Sequence, residues 1–153
     1  PNTAIDTDNG AIKYGFLKHR LGTDITYDVQ ESVSVEGNSG PYLQYAHARA
    51  YGILSKIGQI GEPSDMDFEA SERSLARKIS EYPEVVSKAI EELMPHHICS
   101  YLYELAQNFN RFYENNRVID NERQALRLKL VRKYQEVLKH GLGLLGIEAP
   151  EKV

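Results

Sequence analysis

The chain has 153 residues, 41% hydrophobic and 26% charged, with one cysteine and no tryptophan. That is one domain's worth of chain, able to bury a core without metal or disulfide support. A single thiol excludes an internal disulfide and reads as a reducing, cytoplasmic setting. No apolar run approaches the roughly 18–20 residues that cross a bilayer, and no secretory leader opens the chain. It begins with Pro1 rather than Met, which reads as processing or as a cut from something longer.

A net charge of −4 argues against a strongly basic nucleic-acid binder, but the charge is uneven. Residues 1–94 hold 9 Lys and Arg against 15 Asp and Glu, while residues 95–153 hold 9 against 7. A polyanion would be met in this more basic C-terminal third.

In chain order, residues 1–10 are polar and end in Asp8-Asn9-Gly10, which reads as a loop or frayed tail. Ile12, Phe16 and Leu17 then place one apolar face on a helix over 11–21. Residues 25–37 read as extended or irregular, with Ile25, Tyr27, Val29, Val33 and Val35 set among polar residues. Asn38-Ser39-Gly40-Pro41 reads as a helix start, with Ser39 or Asn38 as cap and Pro41 in the first turn. Leu43, Ala46, Ala50 and Ile53 make the apolar stripe of a helix reaching about Gln59. Gly58 to Ser64 reads as a linker.

Asp65 or Asp67 is expected to cap the next helix, with Phe68, Leu75 and Ile79 inward. Tyr82-Pro83 is expected to break it, because the residue before proline avoids helical backbone. Val86, Ile90 and Leu93 begin another apolar face, and Pro95 punctuates. Residues 96–114 and 121–145 carry two long apolar faces, the second ending at Gly146. The pattern is all-α: an antiparallel bundle of five or six helices, with a short mixed N-terminal appendage and a boundary near Gly37.

The chemistry of common enzyme sites is missing. There is no G-x-x-x-x-G-K-[ST], no G-x-G-x-x-G and no nucleophile elbow. His96-His97-x-Cys99 has metal-binding residue types, but these positions diverge on one helix and no second ligand pair follows at zinc spacing. Asp6-x-Asp8 and Asp65-x-Asp67 precede helices and read as caps rather than magnesium ligands. No metal site is expected.

What the chain does carry is aromatic. On a helix Tyr42, Tyr45 and Arg49 fall at i, i+3 and i+7 and share a face offset from the Leu43–Ala46–Ala50 stripe. Two rings beside a guanidinium suit unstacked bases, each worth about 1–3 kcal/mol of stacking. The other reading of the same spacing is core tyrosines with wet hydroxyls. Tyr113, after Phe109 and Phe112 and before the polar run Glu114-Asn115-Asn116-Arg117, allows the same two readings. Arg123, Arg127, Lys129, Arg132, Lys133 and Lys139 lie around the last helix, as a solvated face or as phosphate contacts.

Gly40-Pro41-Tyr42-Leu43-Gln44-Tyr45-Ala46-His47-Ala48-Arg49 resembles the signature that opens the anticodon-binding domain of arginyl-tRNA synthetase, a class I aminoacyl-tRNA synthetase. Ser100-Tyr101-Leu102-Tyr103-Glu104-Leu105-Ala106 and Leu144-Leu145-Gly146-Ile147-Glu148-Ala149-Pro150 match later blocks in order. Residues 11–36 resemble the tail end of the catalytic region. The family's Asp-Ala-Leu-Arg string stands here as Gln124-Ala125-Leu126-Arg127, without its Asp, and the chain ends in Val153 where similar enzymes often end in methionine. The Gly-Pro-Tyr-Leu-Gln-Tyr-Ala-His-Ala-Arg run favours the arginine enzyme over the helical anticodon domains of the glycine β subunit or the cysteine enzyme. A helical protein-interaction module is the alternative of a different class.

The resemblance implies a division into residues 1–37, the end of the catalytic region, and 38–153, the helical anticodon-binding domain. It implies that Tyr42, Tyr45, Arg49 and Tyr113 meet the anticodon loop of an arginine tRNA. The partners it implies are that tRNA and the catalytic domain of the same chain, with neither membrane nor DNA. The adenylate-forming motifs, a His-x-Gly-His type and a Lys-Met-Ser-Lys-Ser type, do not occur. ATP and Mg therefore belong to the parent enzyme, and this segment is expected to use no cofactor and to be inactive alone.

Overall fold

The structure is a computed structural model that describes residues 3–63 and 65–152. Pro1, Asn2, Ser64 (the end of the expected linker) and Val153 lie outside the described residues. Among the described residues there are seven helices and no strand. They are α1 (Thr3–Leu17), α2 (Val29–Ser32), α3 (Gly40–Ser55), α4 (Ala70–Ser80), α5 (Tyr82–Glu92), α6 (His96–Asn115) and α7 (Gln124–Leu144). The all-helical class stands, with six helices of 11 residues or more and α2 as a single turn.

Asp8-Asn9-Gly10 lies inside α1, not in a loop. Glycine acts there through its missing side chain rather than its backbone freedom. A Cβ at Gly40 would stand 2.2 Å from the Gly10 carbonyl oxygen, and one at Gly10 would stand 2.5 Å from Gln44 Oε1. The two glycines let α1 and α3 cross with backbones almost touching. That close crossing turns Gly10, Ala11, Tyr14 and Gly15 inward and leaves Ile12 and Phe16 half exposed. The expected face of α1 is therefore corrected, and Phe16 stacks instead on Tyr27 (5.1 Å between centroids, 11° between planes). Residues 25–37 form irregular chain and the turn α2, with no strand behind their alternating valines.

Tyr14 ties α1 into the shared core. It is fully buried, with its hydroxyl 2.6 Å from Asn38 Oδ1 and 3.0 Å from the Cys99 carbonyl oxygen. Ser39 caps α3, its Oγ accepting from the Tyr42 amide at 3.1 Å, and Pro41 sits in the first turn. Leu43, Ala46, Ala50 and Ile53 face the core as expected. Two polar residues interrupt that face. Gln44 donates to the carbonyls of Asp6 (3.1 Å) and Glu148 (2.9 Å). His47 Nδ1 donates to the Pro150 carbonyl at 2.8 Å, while its Nε2 accepts from the Gln135 amide at 2.7 Å. Both bonds suit a neutral ring, and burial pushes the His47 pKa down.

Glu69, not Asp65 or Asp67, precedes α4, and its amide donates to Glu72 Oε2 at 2.9 Å. Leu75 is buried, whereas Phe68 is left exposed. The break at Tyr82-Pro83 falls where expected, with α4 ending at Ser80 and Pro83 in the first turn of α5. On α5 the buried residue is Ala89, and Ile90 and Leu93 face solvent. Leu93 adopts left-handed backbone (φ 54°) to close the helix, and the Met94 amide bonds back to the Ala89 carbonyl. Helices α6 and α7 bury Leu102, Leu105, Phe109, Tyr134, Leu138 and Leu142 between them and their neighbours. Gly146, at φ 67°, ends the last turn as expected.

Candidate nucleic-acid interface

The site grows from the crossing of α3 and α6. A helix that buries Leu43, Ala46, Ala50 and Ile53 presents positions 42, 45 and 49 to one side of that stripe. Tyr42 lies half-buried against α6, edge-on to Tyr103 with 5.5 Å between centroids. Its hydroxyl accepts from Asn110 Nδ2 at 3.0 Å. Burial and the Tyr103 ring raise the Tyr42 phenol pKa, against which the Asn110 bond and Arg49 pull down.

Two turns further along α3, Arg49 leaves the helix toward the same asparagine. Its Nη1 lies 3.5 Å from Asn110 Oδ1, and its guanidinium carbon stands 4.9 Å from the centroid of the Tyr113 ring. Tyr113 in turn stacks on Phe109, 6.0 Å away at 25°, and Phe109 lies flat on the buried Tyr134 at 3.9 Å and 6°. A ladder of rings thus runs from the core to the surface and ends under a cation. Tyr45, one turn after Tyr42, is 51% exposed. The structure therefore brings Tyr42, Arg49 and Tyr113 together around Asn110, with Tyr45 open to solvent beside them. A groove of about 500 Å³ opens next to Tyr113, lined by residues 114–120.

Asn110 is the residue that sequence reasoning missed. Its signal was present: a short polar side chain in the middle of a helix, where asparagine usually competes with the backbone. Here that side chain is spent on two residues of another helix instead.

The basic residues of α7 divide in a way their spacing did not show. Arg123 and Arg127 turn inward onto Glu72, which is fully buried. Arg123 donates to Glu72 through Nε (2.8 Å) and Nη2 (2.5 Å), and Arg127 through Nε (2.8 Å). Arg127 also reaches Glu69 at 2.8 Å and the Arg117 carbonyl at 2.8 Å. Burial alone would raise the Glu72 pKa; the two arginines overcome it and hold the carboxyl at about 2. Arg127, the arginine of Gln124-Ala125-Leu126-Arg127, is thus a tie between α7 and α4. Gln124, where the string carries Asp elsewhere, accepts the Asp120 amide at 2.7 Å.

His96, His97 and Cys99 do not converge. His97 pairs with Glu92, and the Cys99 thiol is buried in the core with its pKa pushed up to about 12. Asp6 and Asp8 lie within α1, and Asp65 and Asp67 in the exposed segment before α4. Among the described residues no three His, Cys, Asp or Glu side chains gather as metal ligands would. No described helix is long and apolar enough to cross a membrane.

This fold and this crossing belong to a known class. The family model for the DALR anticodon binding domain matches residues 43–153, and the chain belongs to that family. Curated relatives are arginine–tRNA ligases; the one from Thermus thermophilus is 40% identical over 151 residues, covering 93% of this chain and 26% of its own length. The solved arginyl-tRNA synthetase of Thermus thermophilus superposes with a TM-score of 0.93 at 39% identity, over 98% of this chain and 27% of that one. That of Plasmodium falciparum gives 0.86 at 26% identity, over 99% and 28%. The chain spans about a quarter of the length of these relatives.

Proposed function

We propose that this chain is the anticodon-recognition part of an arginine–tRNA ligase and that Tyr42, Tyr45, Arg49 and Tyr113 receive the anticodon loop of an arginine tRNA. Residues 1–37 are then the end of the catalytic region and 38–153 the anticodon-binding domain of one cytoplasmic chain. The observation that carries the reading is the company Arg49 keeps. Among the described residues it makes no ion pair, and its partners are the face of the Tyr113 ring at 4.9 Å and the Asn110 amide oxygen at 3.5 Å. A guanidinium resting on a ring, with its fork uncommitted to any anion, suits a base or a phosphate of a splayed loop.

The bonds formed are stacking and hydrogen bonds, not covalent ones. An unstacked base finds Tyr45 exposed and the Tyr113–Arg49 pair already layered, so little side-chain order remains to be imposed on binding. ATP and Mg serve the adenylate step of the parent enzyme, outside residues 1–153. The partners in this reading are the tRNA and the catalytic domain of the same polypeptide, with neither DNA nor membrane.

The test is binding of an arginine-tRNA anticodon stem-loop to wild type and to Tyr42→Ala, Tyr45→Ala, Arg49→Ala and Tyr113→Ala at several salt concentrations, with folding checked by circular dichroism. Loss of affinity in the folded variants supports the reading. Wild-type affinity in all four, or binding indifferent to salt, returns the tyrosines to a packing role and the domain to protein interaction.

A further inference from the structure

We propose that Asn110 is a positioning residue: its side-chain amide, held between Tyr42 and Arg49, lays the Arg49 guanidinium on the Tyr113 ring before any RNA arrives. This rests on the reading of the crossing as the RNA site and adds to it a residue that touches no RNA.

The two ends of the Asn110 amide face different partners. Nδ2 donates to the Tyr42 hydroxyl at 3.0 Å, so the oxygen end is forced toward Arg49 Nη1, 3.5 Å away. Swapping the amide's ends would point an N–H at a guanidinium N–H, with no acceptor between them. The donor-only guanidinium therefore selects the amide orientation, and the Tyr42 hydroxyl, able to donate or accept, completes it as acceptor. Asn110 and Tyr113 are i and i+3 on α6, and Tyr42 and Arg49 are i and i+7 on α3. One asparagine thus links Tyr42 to the arginine across the crossing, one helical turn before the ring on which the arginine rests.

The arginine contact is long, and the ring contributes the rest of the hold from 4.9 Å. A long arginine with neither support would sample many rotamers, and ordering it would count against binding. A carboxylate at this position would hold Arg49 more firmly but would neutralise the charge that meets RNA. A neutral acceptor orients the fork and leaves its charge free. On this account Asn is the side chain that meets both requirements, since an aliphatic one orients nothing and Asp cancels the charge.

The experiment has two arms. In the first, without RNA, the side-chain resonances of Arg49 are followed by NMR in wild type, Asn110→Leu, Asn110→Asp and Asn108→Ala. Asn108 lies on the same helix and bonds Ser74 Oγ at 3.2 Å, outside the cluster. The ring of Tyr113 should shift the Arg49 resonances upfield in wild type, in Asn108→Ala and in Asn110→Asp, which keeps an acceptor. Asn110→Leu should lose the shift while remaining folded.

In the second arm the same proteins bind the anticodon stem-loop. Asn110→Leu should weaken binding up to about tenfold, the scale of ordering one long side chain on association. Asn110→Asp should also weaken it, with a shallower salt dependence because Arg49 is then paired. Retention of the Arg49 shift in Asn110→Leu overturns the proposal, as does wild-type affinity in a variant that has lost the shift. If wild type itself fails to bind the stem-loop, the proposed function falls, while the first arm still reports on Asn110. Should Asn110→Leu fail to fold, Asn110→Asp decides through its salt dependence, and an unchanged slope there counts against the proposal.

Discussion

The α4–α7 crossing and the α3–α6 crossing both place arginine between helices, in opposite company. At the first, Arg123 and Arg127 close on a carboxylate with no solvent exposure. Every charge there is answered from within the chain. At the second, Arg49 meets an amide and a ring, and its charge is left unanswered. A buried guanidinium matched to a carboxylate serves the fold, because removing either leaves the other uncompensated. A guanidinium oriented by neutral partners is ordered without being neutralised, which is what a ligand contact needs. Residue type is alike in the two cases; partner chemistry separates them.

The α4–α7 crossing is most vulnerable at Glu72. Glu72→Gln should cost up to about 3–5 kcal/mol of stability, since two arginines would stay largely buried with only the half-exposed Glu69 to answer them. Denaturant unfolding measures it, and a loss under 1 kcal/mol would mean that the network relaxes into water. The same carboxylate sets the acid limit. Its folded pKa of about 2 lies below the ordinary 4.5, so its contribution is present above pH 4.5 and is lost as pH falls toward 2. The shift corresponds to about 3 kcal/mol, and the acid-induced loss over that window should be much smaller in Glu72→Gln. His47 adds an earlier, smaller loss. Its pKa is depressed in the fold, so the unfolded chain takes up the proton first and stability declines as pH falls below about 6.5.

At the α3–α6 crossing the effects fall on binding rather than stability. Tyr113→Ala should cost about 1–3 kcal/mol of stem-loop affinity, with the loss nearly constant across salt. Arg49→Ala should instead lower the salt slope by about one unit if its free fork meets a phosphate. Stability should change little in Arg49→Ala, whereas Arg127→Ala should unfold readily; equal stability losses in the two would erase the distinction. The smallest effect is expected at Lys129, paired at 2.9 Å with an almost fully exposed Glu62. Lys129→Ala should leave the unfolding midpoint unchanged, because an exposed pair exchanges one set of solvated charges for another.

Much of the architecture was legible in the chain because periodicity, caps and breakers are local. Ser39-Gly40-Pro41 opens α3, Tyr82-Pro83 separates α4 from α5, and Gly146 ends α7, each through backbone chemistry that needs no distant partner. The faces of Leu43–Ile53 and Leu130–Leu142 were legible too, because a long apolar stripe has one way to hide. Misreadings fell where a distant neighbour decided. Gly10 reads as a breaker, and only the approach of Gly40 makes it a contact point inside a helix. Ile12, Phe16, Ile90 and Leu93 read as core, and the neighbours that their helices pack against cover other faces and leave them exposed.

For the candidate site, the local pattern of Tyr42, Tyr45 and Arg49 on one face and Tyr113 at the end of a later helix was determined by sequence alone, because helical spacing sets which side chains are neighbours on one helix. That Asn110 joins them, and that Arg123 and Arg127 leave the basic surface for Glu72, was decided by tertiary structure. A hydrogen bond or ion pair between residues 51 to 68 positions apart depends on where two helices cross, and no short window of sequence contains that angle. The chemistry of each side chain is written in the chain; whether an arginine's charge is spent or kept depends on the helix packed against it.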